Sequence, residues 1–152
     1  MASSMEPFAG EETFAAPPAA VFKVLTDLDA TARIIPDLVS SEKVDARTLK
    51  CVVKPGFSFI RSTMKATLTI VEAVEPSAAV LHVDASGIGT SMRIESTMKI
   101  EPAGAGCKVR WQAQITAMKG LVSAVPQGLI RAAADKVLGD GWKAIRGLVE
   151  KG

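Results

Sequence analysis

From Leu38 to Met118 apolar and polar residues alternate along the chain, and the alternation breaks only at Asp45-Ala46, Pro55-Gly56, Glu75-Pro76-Ser77, Ser86-Gly87 and the stretch Pro102 to Gly106. Side chains on a strand point to opposite faces in turn, so this pattern builds half-buried strands joined by turns and does not suit helices. The breaks predict about six strands. From Ser58 to Val71, Ile60, Met64, Ala66, Leu68 and Ile70 share one face, and Arg61, Thr63, Lys65, Thr67 and Thr69 share the other. Its expected partner, Thr90 to Ile100, sets Met92, Ile94, Met98 and Ile100 against Arg93, Glu95, Thr97 and Lys99. Lys108 to Met118 repeats the device with Val109, Trp111, Ala113, Ile115 and Ala117 inward.

A sheet with one dry face needs a cover. The only remaining segment long enough is Leu121 to Val149, where Val122, Leu129, Ala133, Val137, Ala144, Ile145 and Leu148 approximate a helical stripe. Pro126, Gly128, Gly139 and Gly141 lie in that segment, so an irregularity or a close approach of backbone to sheet is expected there. Ahead of the alternating region, Glu6 to Phe14 reads as a first strand. Ala19 to Leu28 reads as a short helix, and about Asp29 to Ile35 as a second, with Asp29 as its N-cap and Pro36 as its stop. The expected fold is α+β: an antiparallel sheet of about seven strands around a long C-terminal helix, with two short helices after the first strand. No repeat or shift in composition divides the chain, so residues 1–152 are expected to form one domain.

Hydrophobic residues at 48% and charged residues at 22% place the chain among self-folding globular proteins. The net charge of +2 comes from scattered Lys and Arg, without the basic footprint that phosphate backbones demand, so nucleic acid is not an expected partner. Cys51 and Cys107, distant and set among apolar or small residues, read as buried reduced thiols. No signal-peptide pattern opens the chain, and Arg131, Asp135, Lys136, Asp140 and Lys143 interrupt its apolar C-terminal segment, so a cytoplasmic location and no transmembrane segment are expected.

Three segments carry a family resemblance. They are Phe14-Ala15-Ala16-Pro17-Pro18-Ala19-Ala20-Val21-Phe22, Ile34-Ile35-Pro36-Asp37-Leu38 with Ser40-Ser41-Glu42, and Leu129-Ile130-Arg131-Ala132-Ala133-Ala134-Asp135-Lys136-Val137. With the order of elements they resemble the helix-grip fold of START-related and birch-pollen-allergen-like proteins, and within it the G-subunit family of carbon monoxide dehydrogenase. The resemblance implies a cavity between sheet and C-terminal helix for a hydrophobic molecule, lipid or quinone-like. On the expected phases that cavity would be lined by Cys51, Ser62, Met64, Met92, Ser96, Trp111, Ala113, Val125 and Leu129. It also implies a redox-enzyme partner, a molybdenum-type dehydrogenase. Membrane-attached members carry a hydrophobic extension, whereas this chain stops at Lys151-Gly152, so no tethering role is expected.

Few residues offer chemistry. His82 shares the wet phase of its strand with Asp84, a pairing that suits a general base and its orienter but equally a solvated face. With no Cys or Glu at ligand spacing it is not a zinc ligand set. Ser62 and Ser96 fall in inward phases and need partners, either nearby backbone or a ligand. Met64, Met92 and Met98 either fill core gaps or line an adaptable pocket. Gly87-Ile88-Gly89 reads as a hairpin turn, and Phe57 and Phe59 either pack against the first elements or form an exposed docking pair. No catalytic residue, metal or cofactor is expected. An enzyme of the polyketide cyclase or dehydratase kind, found on the same fold, would need acid-base groups in the cavity, and the inward phases offer none.

Overall fold

The computed structural model describes residues 7–35, 37–54 and 63–151. The expectations for Glu6, Pro36, Phe57, Phe59, Ile60, Arg61 and Ser62 lie outside the described residues. The elements run β1 (Phe8–Phe14), α1 (Pro18–Leu25), α2 (Leu28–Ile34), β2 (Leu38–Asp45), β3 (Thr48–Val53), β4 (Met64–Val74), β5 (Ala78–Gly87), β6 (Thr90–Ala103), β7 (Gly106–Gly120), a 3₁₀ turn (Leu121–Ala124) and α3 (Gln127–Lys151). The seven strands form one antiparallel sheet ordered β1-β7-β6-β5-β4-β3-β2. β4 and β6, expected to pair directly, are separated by β5, because tight turns at 75–77 and 88–89 make each successive strand fold back on the last. The fold is the helix-grip arrangement, with α3 packed on the inner face.

Local chemistry explains the start of each helix. Pro18 at the first position of α1 supplies the right φ and lacks an N–H that would have no partner there. α2 is capped by Asp27, whose carboxylate accepts from Asp29 N at 2.9 Å and Ala30 N at 3.2 Å. The cap is therefore Asp27 and not Asp29, which lies inside the first turn. Pro126 lacks an amide hydrogen and separates the 3₁₀ turn from α3, which then runs unbroken through its glycines. Space is open around Gly128, Gly139 and Gly141, so the close backbone approach expected at those positions does not occur.

Over the first half of α3 the most buried face is shifted by one residue, whereas Val122 before the helix and Ile145 within it face inward as expected. Ile130, Trp142 and Val149 are buried, and Ala134, Leu138 and Ile145 pack against the core, forming a stripe at spacings of three, four and seven. Leu129, expected inward, is 54% exposed. The innermost side chains are Phe14, Leu49, Val21, Val109 and Cys107.

α3 runs alongside β1 and is held at both ends. The Arg131 guanidinium lies 4.3 Å from the centre of the Phe8 ring, and that of Arg146 lies 4.6 Å from the centre of the Phe14 ring. Arg146 also pairs with Glu12 at 3.0 Å and donates to the Thr13 carbonyl. At the far end of β1 the chain crosses the β6–β7 turn so closely that a Cβ on Gly106 would overlap the Phe14 carbonyl oxygen.

Candidate functional site

Two adjoining apolar cavities lie between the inner face of the sheet and α3. The first, of about 200 Å³, is walled by Phe8, Met64, Met92, Ile94 and Ile115 from the sheet and by Ile130, Ala134 and Leu138 from α3. The second, of about 260 Å³, is closed by Leu68, Leu81, Ser96, Met98 and Trp111 from the sheet, by Ile34 and Ile35 at the end of α2, and by Trp142 and Ile145 from α3. Ala113, Val137 and Leu138 border both. The small side chain of Ala113 is what leaves room at that junction.

The strand phase produces this lining. Ile94, Ser96 and Met98 face the same way on β6, and Ala113 and Ile115 do so on β7. A bulge between Arg93 and Ile94 adds a residue to β7, so Ala117 pairs with outward Arg93 while Met118 pairs with Met92 and packs against the inner core. Ala117, assigned inward by simple alternation, is turned to the other face by that bulge. A break in register is not visible in a period-two count.

Of the residues expected on the cavity wall, Met64 and Met92 border the first cavity, Ser96 and Trp111 the second, and Ala113 both. Cys51 lies on β3 outside both linings, with its thiol directed at the Ala66 carbonyl, 3.7 Å away. Val125 is half-buried beside the 3₁₀ turn and packs with the core without bordering either cavity. Leu129 faces solvent, one residue before Ile130, which is 5% exposed and does border the first cavity. Ser62 lies outside the described residues. Phe8, Ile94, Ile115, Ala134 and Leu138 line the first cavity without being expected there. The series Ile130, Ala134, Leu138, Trp142, with its strict spacing of four, is the signal that marks the helical half.

The Trp111 indole stacks on Trp142, with ring centres 5.8 Å apart and planes at 30°. Its buried N–H has no hydrogen-bond partner among the described residues, and a Cβ on Gly10 would come within 2.8 Å of Cζ2 of the same ring. The ring fits only because β1 carries no side chain at that point. A Gly10→Ala variant is therefore expected to tilt Trp111 off Trp142 and to lose about 1–3 kcal/mol by overpacking. Near-ultraviolet circular dichroism with urea unfolding checks this, and an unchanged tryptophan signal would contradict the contact.

Nothing in this lining suits acid-base chemistry. Its polar members among the described residues are Thr31, Ser96, Thr97 and Gln112, and the rest are hydrocarbon, aromatic or thioether surface. His82 lies on the outer face of the sheet, where its Nδ1 is 2.7 Å from Nη2 of Arg93. An arginine only donates, so Nδ1 is the accepting nitrogen in this contact. Among the described residues no group of His, Cys, Asp and Glu is placed to hold a metal ion.

Both cysteines are free and buried, and burial pushes both thiols above their ordinary range by disfavouring the thiolate. A raised folded-state value means that the contribution of the neutral thiols is fully present below the unfolded thiol value and is lost as pH rises from there through the raised folded value. Native protein should thus react slowly with iodoacetamide near pH 8, with both thiols becoming reactive on unfolding and stability falling at alkaline pH. Fast alkylation of folded protein would show the thiols to be open.

Comparison with known proteins places this geometry. The sequence model of a family described as the carbon monoxide dehydrogenase G subunit (CoxG) matches residues 10–149. No curated protein matches the sequence. Among solved structures, a conserved protein from Geobacillus kaustophilus superposes with a TM-score of 0.87 at 18% identity, over 96% of each chain. A START superfamily protein from Mycobacterium smegmatis gives 0.71 at 14% identity, over 95% of this chain and 97% of the other. The protein Ara h 8.0201 gives 0.69 at 23% identity, over 97% and 99%. At these identities the structures share the fold. Among the described residues no helix is long and apolar enough to cross a membrane.

Proposed function

The chain belongs to the CoxG family of carbon monoxide dehydrogenase subunits, and from that premise we propose that it is a carrier that holds a hydrophobic small molecule, lipid or quinone-like, between its sheet and α3. The observation that carries the reading is the pair of adjoining cavities, whose walls are almost wholly apolar. Small-molecule sites are commonly enclosed, mostly apolar spaces of a few hundred cubic ångströms with a few polar groups for orientation, and Ser96 is such a group here. Filling this space with hydrocarbon removes apolar surface from water at roughly 25 cal/mol per Å², while methionines at both ends let the walls adapt.

A second reading, an accessory subunit that docks on a molybdenum-type dehydrogenase, draws on the family's name. It would be helped by an exposed apolar patch on the short helices or around Phe57 and Phe59. Of the two places for such a patch, Ile34 and Ile35 are half-buried and turned to the second cavity, which favours the carrier, and Phe57 and Phe59 lie outside the described residues. An enzyme of the cyclase kind would place an acid or base inside the same space.

Native mass spectrometry of the purified protein, with solvent extraction of whatever it carries, tests the proposal. A stoichiometric hydrophobic adduct is expected. A clean mass that also ignores added phospholipid and quinone would sink the carrier reading in favour of docking.

A further inference from the structure

The outer face of the sheet, away from α3, is more than a solvated surface at one end. Two adjacent outward rows cross it in register, Lys65, Ser86, Ser91 and Lys119 in one and Lys50, Thr67, Asp84 and Arg93 in the next. With part of β2 they enclose a trough of about 720 Å³. A flat wet face encloses nothing, so the twist of the sheet has bent these rows into a recess.

The charges in that recess do not balance. Lys50, Lys65, Lys119 and Arg93 face two carboxylates, Glu42 and Asp84. Elsewhere several cations have close partners, as Lys43 has in Asp29 at 3.1 Å and Lys136 in Asp140 at 2.8 Å. Lys50, Lys65 and Lys119 have no ion-pair partner among the described residues. Arg93 is held against His82 and lies 3.7 Å from both Asp84 and Glu95, yet its Nε is buried without a hydrogen bond among the described residues. With Glu95 counted beside Arg93 the local surplus is one positive charge, and the cations without an ion-pair partner, Lys65 and Lys119 among them, suit a phosphate monoester, which offers three acceptor oxygens to ammonium and hydroxyl donors. The volume exceeds that of a phosphate alone and falls in the range of sites for whole small molecules, roughly 300–1,000 Å³.

We propose that this trough binds a small phosphorylated molecule, with its phosphate between the Lys65 and Lys119 ammonium groups and the Ser86 and Ser91 hydroxyls. The charged and hydroxyl groups of the site lie on the outer face of the sheet, although Ala85 and Met92 border both the trough and the first apolar cavity, and the test of the site does not depend on the carrier reading.

Titration calorimetry with inorganic pyrophosphate at physiological ionic strength tests it. Saturable binding at one site is expected, weakened about tenfold or more in a Lys65→Gln/Lys119→Gln variant by the loss of two close charges. Lys99→Gln, the same change on the same face but outside the trough, should bind within about twofold of the parent. If the double variant does not melt cooperatively, the two single variants should each weaken binding about threefold. Absence of saturable binding, or equal weakening by Lys99→Gln, would overturn the proposal. So would preference for a poly-glutamate peptide with no response to pyrophosphate, which would make the trough a protein interface.

Discussion

A Gly106→Ala variant should lose at least about 3 kcal/mol of stability, read as a fall in the urea midpoint without a change in slope. Gly106 begins β7 opposite Ala103, where the end of β1 passes over the turn. An added Cβ would overlap the Phe14 carbonyl oxygen and come within 3.1 Å of the Ala15 Cα. Neither atom belongs to a flexible side chain, so relief requires moving the β1 backbone and with it Phe14, which is 1% exposed at the centre of the core. Gly128→Ala, in a helix with open space around the position, should instead be neutral or gain up to about 1 kcal/mol. Equal effects from the two substitutions would mean that β1 does not cross the turn as described.

Ala113→Trp should abolish uptake of a hydrophobic ligand while leaving a cooperative unfolding transition. Ala113 is 5% exposed and borders both cavities, so an indole there occupies the junction that any ligand spanning them must pass through. The ligand adduct seen in native mass spectra of the parent should be absent. If the junction has the room the geometry indicates, stability should change little. If it is close-packed core, overpacking costs about 1–3 kcal/mol. A folded variant that still carries its ligand would remove the site from beneath α3.

Much of this architecture is legible in the sequence because a strand writes its environment in a short period. Val109 to Ile115 alternates so regularly that the inward set on β7 can be read residue by residue, and it includes Trp111 and Ala113 beside the cavity. The helical half is harder. Leu129 and Ile130 are adjacent and both apolar, and a helix turns about 100° between them, so composition alone does not say which faces in. The phase is set by where α3 begins after Pro126 and by Trp142, which packs among Phe14 and Trp111. The same holds for Asp27 and Asp29, two possible caps that only the backbone distinguishes. Local breaks are hidden as well. The bulge that turns Ala117 outward, and the curvature that makes a recess of Lys50, Lys65 and Lys119, arise from strand pairing across the whole sheet.

The two arginine-on-ring contacts along β1 bear on what it would cost to loosen α3 from the sheet. Each is worth roughly 0.5–1 kcal/mol at an exposed site. They sit near the two ends of one strand, and the Glu12 ion pair and the Trp111 stack fall on that strand and its neighbour β7. α3 is thus tied to the β1 edge of the sheet at two places, while α1 and α2 pack against it from the other side. Lifting α3 from β1 therefore costs both ring contacts together, roughly 1–2 kcal/mol, on top of whatever its packing on the sheet contributes.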